Sequence, residues 1–349
     1  MHTTTTGVYM NHQALSSTVQ HILTESKGIL AADESFGTIG KRFAKLDIES
    51  TPETRRSYRE LLFETEGIEQ YLSGVILFDE TIRQKSKNNI PFPRLLMDKG
   101  IVPGIKVDKG TKPLSLFPGE MITEGLDELS QRLNEYRNLG AKFAKWRAVI
   151  TINQELPTQH CIESNAYILA RYASLCQESE IVPVVEPEVL MDGEHDISVC
   201  ENVTSLVLKS VFNQLYNHRV YIEGVLLKPN MVLPGKQSSQ KASAQEVAEA
   251  TVRTLKRVVP AALPGVLFLS GGQSPQQATE NLNAINGIGD TPWILSFSFS
   301  RALQEPVMNS WKGMDQNRSS AGRIFVHRAR CNSAAVMGRY NQSMESQQI

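Results

Sequence analysis

Eight short apolar segments recur along the chain, and each of them ends in polar or charged residues. They are residues 28–32, 75–78, 103–105, 141–144, 181–185, 224–227, 265–269 and 293–295. The polar residues that follow five consecutive segments, Lys106, Lys145, Glu186, Lys228 and Ser270, are 39, 41, 42 and 42 residues apart. A spacing of this size accommodates one strand and one helix, so the pattern indicates a repeated strand–helix unit.

Helical patterns fill the gaps between these segments. They lie at residues 52–66, 124–139, 162–177, 197–216, 244–258 and 275–285. Apolar strands that alternate with helices are typical of a parallel sheet covered by helices, and eight such units fit a closed barrel. A doubly wound open sheet is the alternative, but no G-x-G-x-x-G motif follows the first segment. We therefore predict an α/β fold with one domain over residues 1–349. It is a single (β/α)8 TIM barrel at about 15–312, followed by a C-terminal helix and tail at 313–349.

Charge and composition exclude several classes of protein. The formal net charge is −1, which gives no indication of binding to nucleic acid or to an anionic membrane. No apolar stretch approaches the ~20 residues of a membrane span. Residues 1–12 lack the basic start and apolar core of a signal peptide, so we expect a cytoplasmic protein. The cysteines and histidines show no metal-ligand spacing, so we predict reduced thiols, no metal site and no cofactor.

A single lysine, Lys228, ends the apolar segment 224–227. Burying an ammonium group in a core strand is costly unless the group is paired or loses its proton. A neutral lysine amine is a nucleophile suited to forming a Schiff base with a carbonyl substrate. Lysines also cap strand ends in many proteins, so this residue alone leaves both interpretations open.

Charged residues collect at the predicted C-terminal ends of the strands, where barrels of this kind carry their active sites. Glu186 belongs to the strand between those of Lys145 and Lys228, so it can shuttle protons to either lysine. The second cation at Lys145 favours the neutral form of its neighbour. A salt-bridge network that merely closes the barrel is the alternative. Side chains two apart share a strand face, which groups Lys106 with Asp108, Lys145 with Arg147, and Glu186 with Glu188.

Two groups of residues are suited to binding phosphate. Ser270, Gly271 and Gly272 lead from the seventh strand into a helix that starts near Ser274, and small residues there let backbone N–H groups approach an anion. Arg301, just past the eighth strand, could bind the same phosphate. An ordinary glycine-rich turn is the alternative for this loop. A second anion-binding group follows the first and third strands and comprises Ser35, Thr38, Lys41, Arg42 and Lys106.

Several of these motifs, taken together, resemble class I fructose-bisphosphate aldolase over nearly the whole barrel region. They are GILAADES (28–35), GIKVDKG (104–110), FAKWR (143–147), VEPE (185–188), LKPNM (227–231) and LSGGQS (269–274). The resemblance implies a (β/α)8 barrel and a homotetramer. It also implies reversible cleavage of fructose 1,6-bisphosphate into dihydroxyacetone phosphate and glyceraldehyde 3-phosphate, in glycolysis and gluconeogenesis.

The resemblance also implies a role for individual residues. Lys228 is the Schiff-base lysine, Glu186 handles protons as the carbinolamine forms and loses water, and Lys145 supports that step electrostatically. Asp33 is implied as the base for the C4 hydroxyl, with Glu188 in the same polar network. The residues implied to hold the ketone-side phosphate are Ser270, Gly271, Gly272 and Arg301. The residues implied at the other end of the sugar are Ser35, Thr38, Lys106 and Arg147.

Three features depart from the family pattern. Ser300 stands where the family often has glycine, and Phe36 stands where it often has a small polar residue. Many animal members end in a tyrosine that reaches the active site, whereas this chain ends Gln347-Gln348-Ile349. An amide side chain does not ionise near neutral pH, so this tail offers no equivalent hydroxyl.

The C-terminal region is predicted to be an amphipathic helix at 317–339, docked on the barrel, and a poorly ordered stretch at 341–349. The enamine would then be protonated by the phosphate-held substrate, by water or by Tyr340. Under this hypothesis, deletion of residues 342–349 changes the turnover rate by less than about threefold.

Three alternative functions remain open at this point. A sedoheptulose-bisphosphate-preferring aldolase would use the same residues. A transaldolase would leave one of the two predicted phosphate sites without a partner. A non-catalytic phosphosugar-binding scaffold would be expected to lack a catalytic lysine or acid, yet Asp33, Lys145, Glu186 and Lys228 are all present.

Overall fold

The structure is a computed structural model and describes residues 11–346. The strands in this part of the chain are β1 (Gly28–Ala32), β2 (Leu72–Leu77), β3 (Val102–Lys106), β4 (Thr111–Pro113), β5 (Met121–Thr123), β6 (Phe143–Ile150), β7 (Val182–Val189), β8 (Leu226–Leu227), β9 (Gly265–Phe268) and β10 (Ile294–Phe299). All of them except β4 and β5 form a closed parallel barrel in the order β1-β10-β9-β8-β7-β6-β3-β2. The predicted (β/α)8 barrel is therefore confirmed.

Helices surround the barrel and follow the strands along the chain. They are α1 (His12–Ile22), α2 (Phe36–Ala44), α3 (Pro52–Glu64), α4 (Asp79–Arg83), α5 (Phe92–Asp98), α6 (Leu129–Asn138), α7 (Gln159–Glu178), α8 (Ile197–Asn217), α9 (Ala244–Val258), α10 (Pro275–Ile288), α11 (Arg301–Trp311) and α12 (Arg318–Val336). In the part of the chain that the structure describes, no helix is long and apolar enough to cross a membrane.

Two barrel strands extend further than their apolar segments. The strand β6 continues through Lys145 and Arg147, and β7 continues through Glu186 and Glu188. An apolar run marks only the part of a strand that is apolar on both faces. Where one face turns polar at the mouth of the barrel, the backbone pairing continues beyond it. These four charged residues therefore lie on the strands themselves and not on the loops after them.

Helix α1 closes the N-terminal end of the barrel. Its residues Leu15, Val19 and Ile22 belong to a buried apolar cluster with the interior side chains of the lower barrel, which include Ile29, Ile76, Phe143, Val184, Leu226 and Leu267. Gly104 leaves room for the Phe143 ring, because a Cβ atom at residue 104 would lie 2.3 Å from it. The lower interior of the barrel is thus filled and closed to solvent, and access is from the C-terminal end.

One predicted helix has the wrong start. Residues 124–128 were predicted to be helical, but α6 begins at Leu129. The preceding strand β5 pairs with β4 in an antiparallel hairpin, with Thr111 opposite Thr123. This hairpin holds the chain extended up to residue 123, and Gly125 has a φ of 127°. A residue with positive φ interrupts a helix, so the helical pattern before residue 129 is not used.

The C-terminal helix, predicted at 317–339, spans Arg318–Val336 as α12, and it packs against the barrel helices α10 and α11. The predicted lack of order beyond it is wrong for Gln342–Ser346, which form a 3₁₀ turn. Glu345 in this turn pairs with the buried Arg328 of α12 at 2.5 Å, and the Tyr340 hydroxyl donates to Glu345 at 2.8 Å. Residues 347–349 lie outside the described part of the chain.

Replacing Glu345 with glutamine should lower the free energy of unfolding by about 1.5–3 kcal/mol, because Arg328 is buried and loses a charged hydrogen-bond partner. Burial raises the pKa of Glu345, but Arg328 outweighs it and keeps that pKa below 4.5. The pair therefore stabilises the fold above pH 4.5 and loses this contribution as the pH falls through the lowered pKa. Denaturant titrations at pH 7 and pH 4 should show a smaller deficit at the lower pH. Glu155→Gln, on an exposed loop, is the matched control.

Candidate active site

The alternation along the strands places three charged side chains inside the upper barrel. Lys145, Glu186 and Lys228 each lie two residues after an interior apolar residue, namely Phe143, Val184 and Leu226. They consequently face the interior at the open, C-terminal end. Each is at least 95 % buried. A cavity of about 500 Å³ opens there, and all three side chains line it.

Glu186 lies between the two lysines. Its Oε1 is 3.0 Å from Nζ of Lys228, and its Oε2 is 3.1 Å from Nζ of Lys145. Lys145 has a second partner in Asp33, whose Oδ2 is 2.8 Å from the same ammonium group. Asp33 follows β1, on the other side of the cavity from β7. The ion pairs thus connect both walls of the barrel through one lysine.

These contacts determine the charge states of the carboxylates. Burial alone would raise the pKa of Asp33, but Lys145 and Lys228 outweigh it and hold the pKa well below its ordinary value of 3.8. For Glu186, burial likewise opposes ionisation, and the same two lysines keep its pKa below the ordinary value. Burial lowers the pKa of Lys145, but Asp33 and Glu186 raise it by more. At neutral pH both carboxylates are therefore ionised proton acceptors and Lys145 is a fixed cation.

Further charged pairs border the cavity. Arg147 donates from Nε to Glu188, and Lys106 donates to Asp108. Arg147, Glu188 and Lys106 line the cavity. Glu80, which follows the second apolar segment, does not line this cavity, because it lies on α4 and binds Arg55 at 2.7 Å.

The ketone-side phosphate residues predicted from the sequence lie on one wall. Ser270, Gly271 and Arg301 line the cavity, whereas Gly272 does not. Gly272 has a φ of 77°, and a Cβ atom there would lie 2.2 Å from the sulfur of Met191. Its role is consistent with a sharp turn packed against a neighbouring loop.

The second predicted anion-binding group lies on the opposite wall. Ser35, Thr38 and Lys106 line both the central cavity and an adjoining one of about 650 Å³. Arg147 lies at the same junction. The adjoining cavity is also lined by the basic residues Arg83, Lys109 and Arg132. Cationic side chains therefore surround this end of the site, which suits a second phosphate.

Several cavity residues were not selected from the sequence. They are Glu34, Lys45 and Ser298. Lys41 and Arg42, which were predicted as members of the second anion-binding group, also line the cavity, and so does Ser300, which was named only as a departure from the family pattern. Ser298 is 1 % exposed, and its hydroxyl has no hydrogen-bond partner among residues 11–346. The sequence did contain a signal for Ser298, because serine and phenylalanine alternate over residues 296–299 of β10 and the serines therefore share one face of the strand.

Within residues 11–346, one group of side chains has metal-ligand distances, and it was not predicted. His327, Cys331 and Glu345 hold ligand atoms within 4.8 Å of one another, beside α12. The Glu345 carboxylate is already bound by Arg328, at 2.5 and 2.6 Å. This competing cation speaks against a metal ion, and the group does not line the central cavity.

Comparisons with known proteins agree on one family. The family model described as fructose-bisphosphate aldolase class-I matches residues 14–349. The chain is 52% identical to "Probable fructose-bisphosphate aldolase class 1" of Xanthomonas campestris pv. campestris, over 95% of this chain and 99% of that protein. It is 51% identical to "Fructose-bisphosphate aldolase 4, cytosolic" of Arabidopsis thaliana, over 93% of this chain and 83% of that protein.

A solved structure is similar as well. It is a fructose-bisphosphate aldolase from Plasmodium falciparum, in a ternary complex with TRAP and a small-molecule inhibitor. Its TM-score to this chain is 0.93 at 49% sequence identity, and the match covers 94% of this chain and 95% of that one.

Proposed function

The chain belongs to the class I fructose-bisphosphate aldolases, and we propose that it cleaves fructose 1,6-bisphosphate through a Schiff base on Lys228. The observation that supports this proposal most directly is the position of Glu186, 3.0 Å from Lys228 and 3.1 Å from Lys145 in the buried mouth of the barrel. An ionised carboxylate in this position can take a proton from one lysine while the other lysine stabilises its charge.

In the first half of the proposed reaction, the Lys228 amine attacks the C2 carbonyl of the sugar. Glu186 begins ionised, because its pKa lies below the ordinary value, so it first accepts a proton from the ammonium group of Lys228, which lies 3.0 Å away. When the resulting amine attacks, one of its N–H protons moves to the C2 oxygen and gives the carbinolamine hydroxyl. Glu186 then donates its proton to this hydroxyl, which departs as water. Lys145 remains charged throughout and offsets the changing charge on Glu186. The product is a protonated imine, which withdraws electrons from C3.

In the second half, Asp33 accepts the proton of the C4 hydroxyl. The C3–C4 bond then breaks, its electron pair forms an enamine with C2, and the aldehyde product leaves. Asp33 suits this role because it is ionised and lies across the cavity from Lys228. Protonation of the enamine and hydrolysis of the imine release dihydroxyacetone phosphate. Glu188, paired with Arg147, belongs to the polar network around these steps.

The two phosphates of the substrate are proposed to bind opposite walls of the cavity. The ketone-side phosphate binds Ser270, Gly271 and Arg301, with the turn at Gly272 shaping the loop. The residues proposed for the other phosphate are Ser35, Thr38, Lys106 and Arg147. Cations on both walls support this assignment, since a bisphosphate needs charge at each end.

Borohydride reduction in the presence of dihydroxyacetone phosphate should attach the substrate mass to Lys228. The reduced imine is a stable secondary amine, so peptide mapping by mass spectrometry locates it. Lys256→Met, which alters only a surface lysine near Asp290, should trap as fully as the unmodified protein. Adduct on Lys145 or Lys106, with Lys228 unmodified, would contradict the proposed mechanism.

We also propose that the chain forms a single domain, assembles as a homotetramer and works in the cytoplasm. Apolar side chains that are half exposed on neighbouring helices, Tyr167 of α7 and Leu206 and Tyr216 of α8, are candidates for a subunit interface. Analytical ultracentrifugation should give four times the chain mass. Sedimentation as a monomer at micromolar concentration would exclude the tetramer.

A further inference from the structure

Ser300 lies between β10 and α11 and lines the cavity, yet the proposed mechanism gives it no role. Its hydroxyl makes several hydrogen bonds. It donates to Oε1 of Glu34 at 2.7 Å and accepts from both terminal nitrogens of Arg42, each at 3.2 Å. It also accepts from Nε2 of Gln304 at 3.3 Å. This one side chain therefore connects the residues after β10 with those after β1.

Glu34 is the fixed centre of this network. It is buried, and it also receives hydrogen bonds from Arg59 and from Gln304, the latter at 2.8 Å. Burial raises the pKa of Glu34, but Arg59 and Arg42 outweigh it and keep the pKa below its ordinary value. The carboxylate thus stays charged and immobile. Arg42 contacts it from the solvent side, with Nη1 2.5 Å from Oε1.

Arg42, which the sequence placed in the second anion-binding group, instead joins this network at its solvent side. It extends from α2, lines the cavity and keeps 21 % of its side chain exposed. Among residues 11–346, Nη2 of Arg42 has its hydrogen bond to Ser300 alone. Glu34 by itself contacts only one terminal nitrogen, which leaves the guanidinium free to rotate about that contact. The second contact, to Ser300, fixes the plane of the guanidinium.

The orientation of the Arg42 guanidinium matters because Arg301 and the proposed phosphate site lie beside it. Strand β10 is between β1 and β9 in the barrel, so Arg301 has Arg42 on one side and the Ser270–Gly271 wall on the other. A guanidinium carries five N–H donors in a rigid plane, and it binds phosphate well only when that plane is directed at the oxygens.

We propose that Ser300 is a positioning residue for the ketone-side phosphate, acting through Arg42. Its hydroxyl holds the Arg42 guanidinium against Glu34, so that the remaining N–H groups face the phosphate next to Arg301. A glycine at this position could not make these hydrogen bonds. This inference rests on the proposed function, since it assumes that a sugar phosphate binds between these walls.

The test is a double-mutant cycle with Ser300→Ala and Arg42→Ala. Ser300→Ala should raise the KM for fructose 1,6-bisphosphate about five- to tenfold, as expected for the net loss of one hydrogen bond of ordinary strength, and leave kcat within about twofold. Competitive inhibition by inorganic phosphate should weaken by a similar factor. In the Arg42→Ala background, Ser300→Ala should have no further effect on KM, because the residue through which it acts is gone.

Two further variants separate positioning from folding. Ser300→Thr keeps the hydroxyl, so its KM should be close to that of the unmodified protein. Ser296→Ala, on the same strand, removes a buried hydrogen bond to the carbonyl of Lys27 at the closed end of the barrel. It should lower the unfolding midpoint without changing KM. An unchanged KM in Ser300→Ala, or an undiminished effect in the Arg42→Ala background, would overturn the inference.

A failure of the inference about Ser300 can be distinguished from a failure of the proposed function. Borohydride trapping on the unmodified protein reports whether Lys228 forms the imine, whatever the KM values. If Lys228 is not labelled, the proposed function fails. If Lys228 is labelled in both the unmodified protein and Ser300→Ala, and their KM values agree, only the role of Ser300 is wrong.

Discussion

Replacement of Asp33 by asparagine is expected to slow the turnover of fructose 1,6-bisphosphate by about 10²–10⁴-fold, the usual contribution of a positioned general base. Asparagine has nearly the same shape as aspartate, but its amide cannot accept the proton of the C4 hydroxyl. The contact to Lys145, now 2.8 Å, loses its charge. Imine formation should continue, because Glu186 and Lys228 are unaltered and lie 3.0 Å apart.

This division of labour is measurable. Single-turnover cleavage and borohydride trapping, performed on the same preparation, should show slow carbon–carbon cleavage and near-normal labelling of Lys228. Glu186→Gln should show the reverse order of defects, with slow labelling. Asp98→Asn, at an exposed pair with Arg94 that lies outside both cavities, is the matched control and should retain full activity. Equal loss of trapping in Asp33→Asn and Glu186→Gln would show that the two carboxylates do not act at separate steps.

The barrel could be predicted because its pattern is local. An apolar segment such as 181–185 and the helix after it repeat within about 40 residues, and each unit can be recognised without knowledge of its neighbours. Elements that depend on contacts outside their own segment were missed. Helix α1 packs into the barrel floor formed by strands up to residue 267, and strand β5 exists because β4 pairs with it. Neither partner is visible from the short segment itself.

Prediction of the candidate site has the same limit, because a pattern within one strand can be read from the sequence and contacts between segments cannot. The alternation of side chains on β6 and β7 predicts that Lys145 and Glu186 face the same space. Asp33 and Glu34 are adjacent in the sequence, yet they serve different networks. Asp33 contacts Lys145, whereas Glu34 binds Arg42 and Arg59. Which of two neighbouring carboxylates faces the lysines depends on how the chain leaves β1, and the sequence carries no periodic signal there.

The C-terminal turn is a further example. Residues 341–349 have little apolar content, which predicts disorder, but Glu345 finds a buried cation 17 residues earlier, at Arg328. Tyr340, considered from the sequence as a proton donor to the enamine, instead donates to Glu345 and does not line the cavity. Contacts between positions distant in the sequence hold this polar segment, namely the pair of Glu345 with Arg328 and the packing of Met344 against the core, and composition cannot reveal them.

Replacement of Lys145 by methionine should have an effect as large as that of Asp33→Asn, but with a different dependence on pH. Lys145 is the principal cation that holds the pKa values of Asp33 and Glu186 below their ordinary values of 3.8 and 4.5, against the opposing effect of burial. Without it, burial raises both pKa values, so the carboxylates bind protons at a higher pH. A protonated carboxyl cannot act as a base.

In the unmodified protein, protonation of these two carboxylates therefore limits activity only at a pH below their ordinary pKa values of 3.8 and 4.5. In Lys145→Met, the acid limb of the pH–rate profile should move to higher pH, and turnover at pH 7 should fall by about 10²–10⁴-fold. Lys145→Arg keeps the charge, so its acid limb should stay close to that of the unmodified protein even if its turnover is lower.

The arginine variant also separates a loss of charge from misfolding. Removing one member of a buried ion pair, as Lys145→Met does, typically lowers the free energy of unfolding by about 3–5 kcal/mol. Lys256→Met controls for loss of a lysine at the surface. An acid limb that does not move in a folded Lys145→Met protein would show that this cation does not set the charge of Asp33 and Glu186.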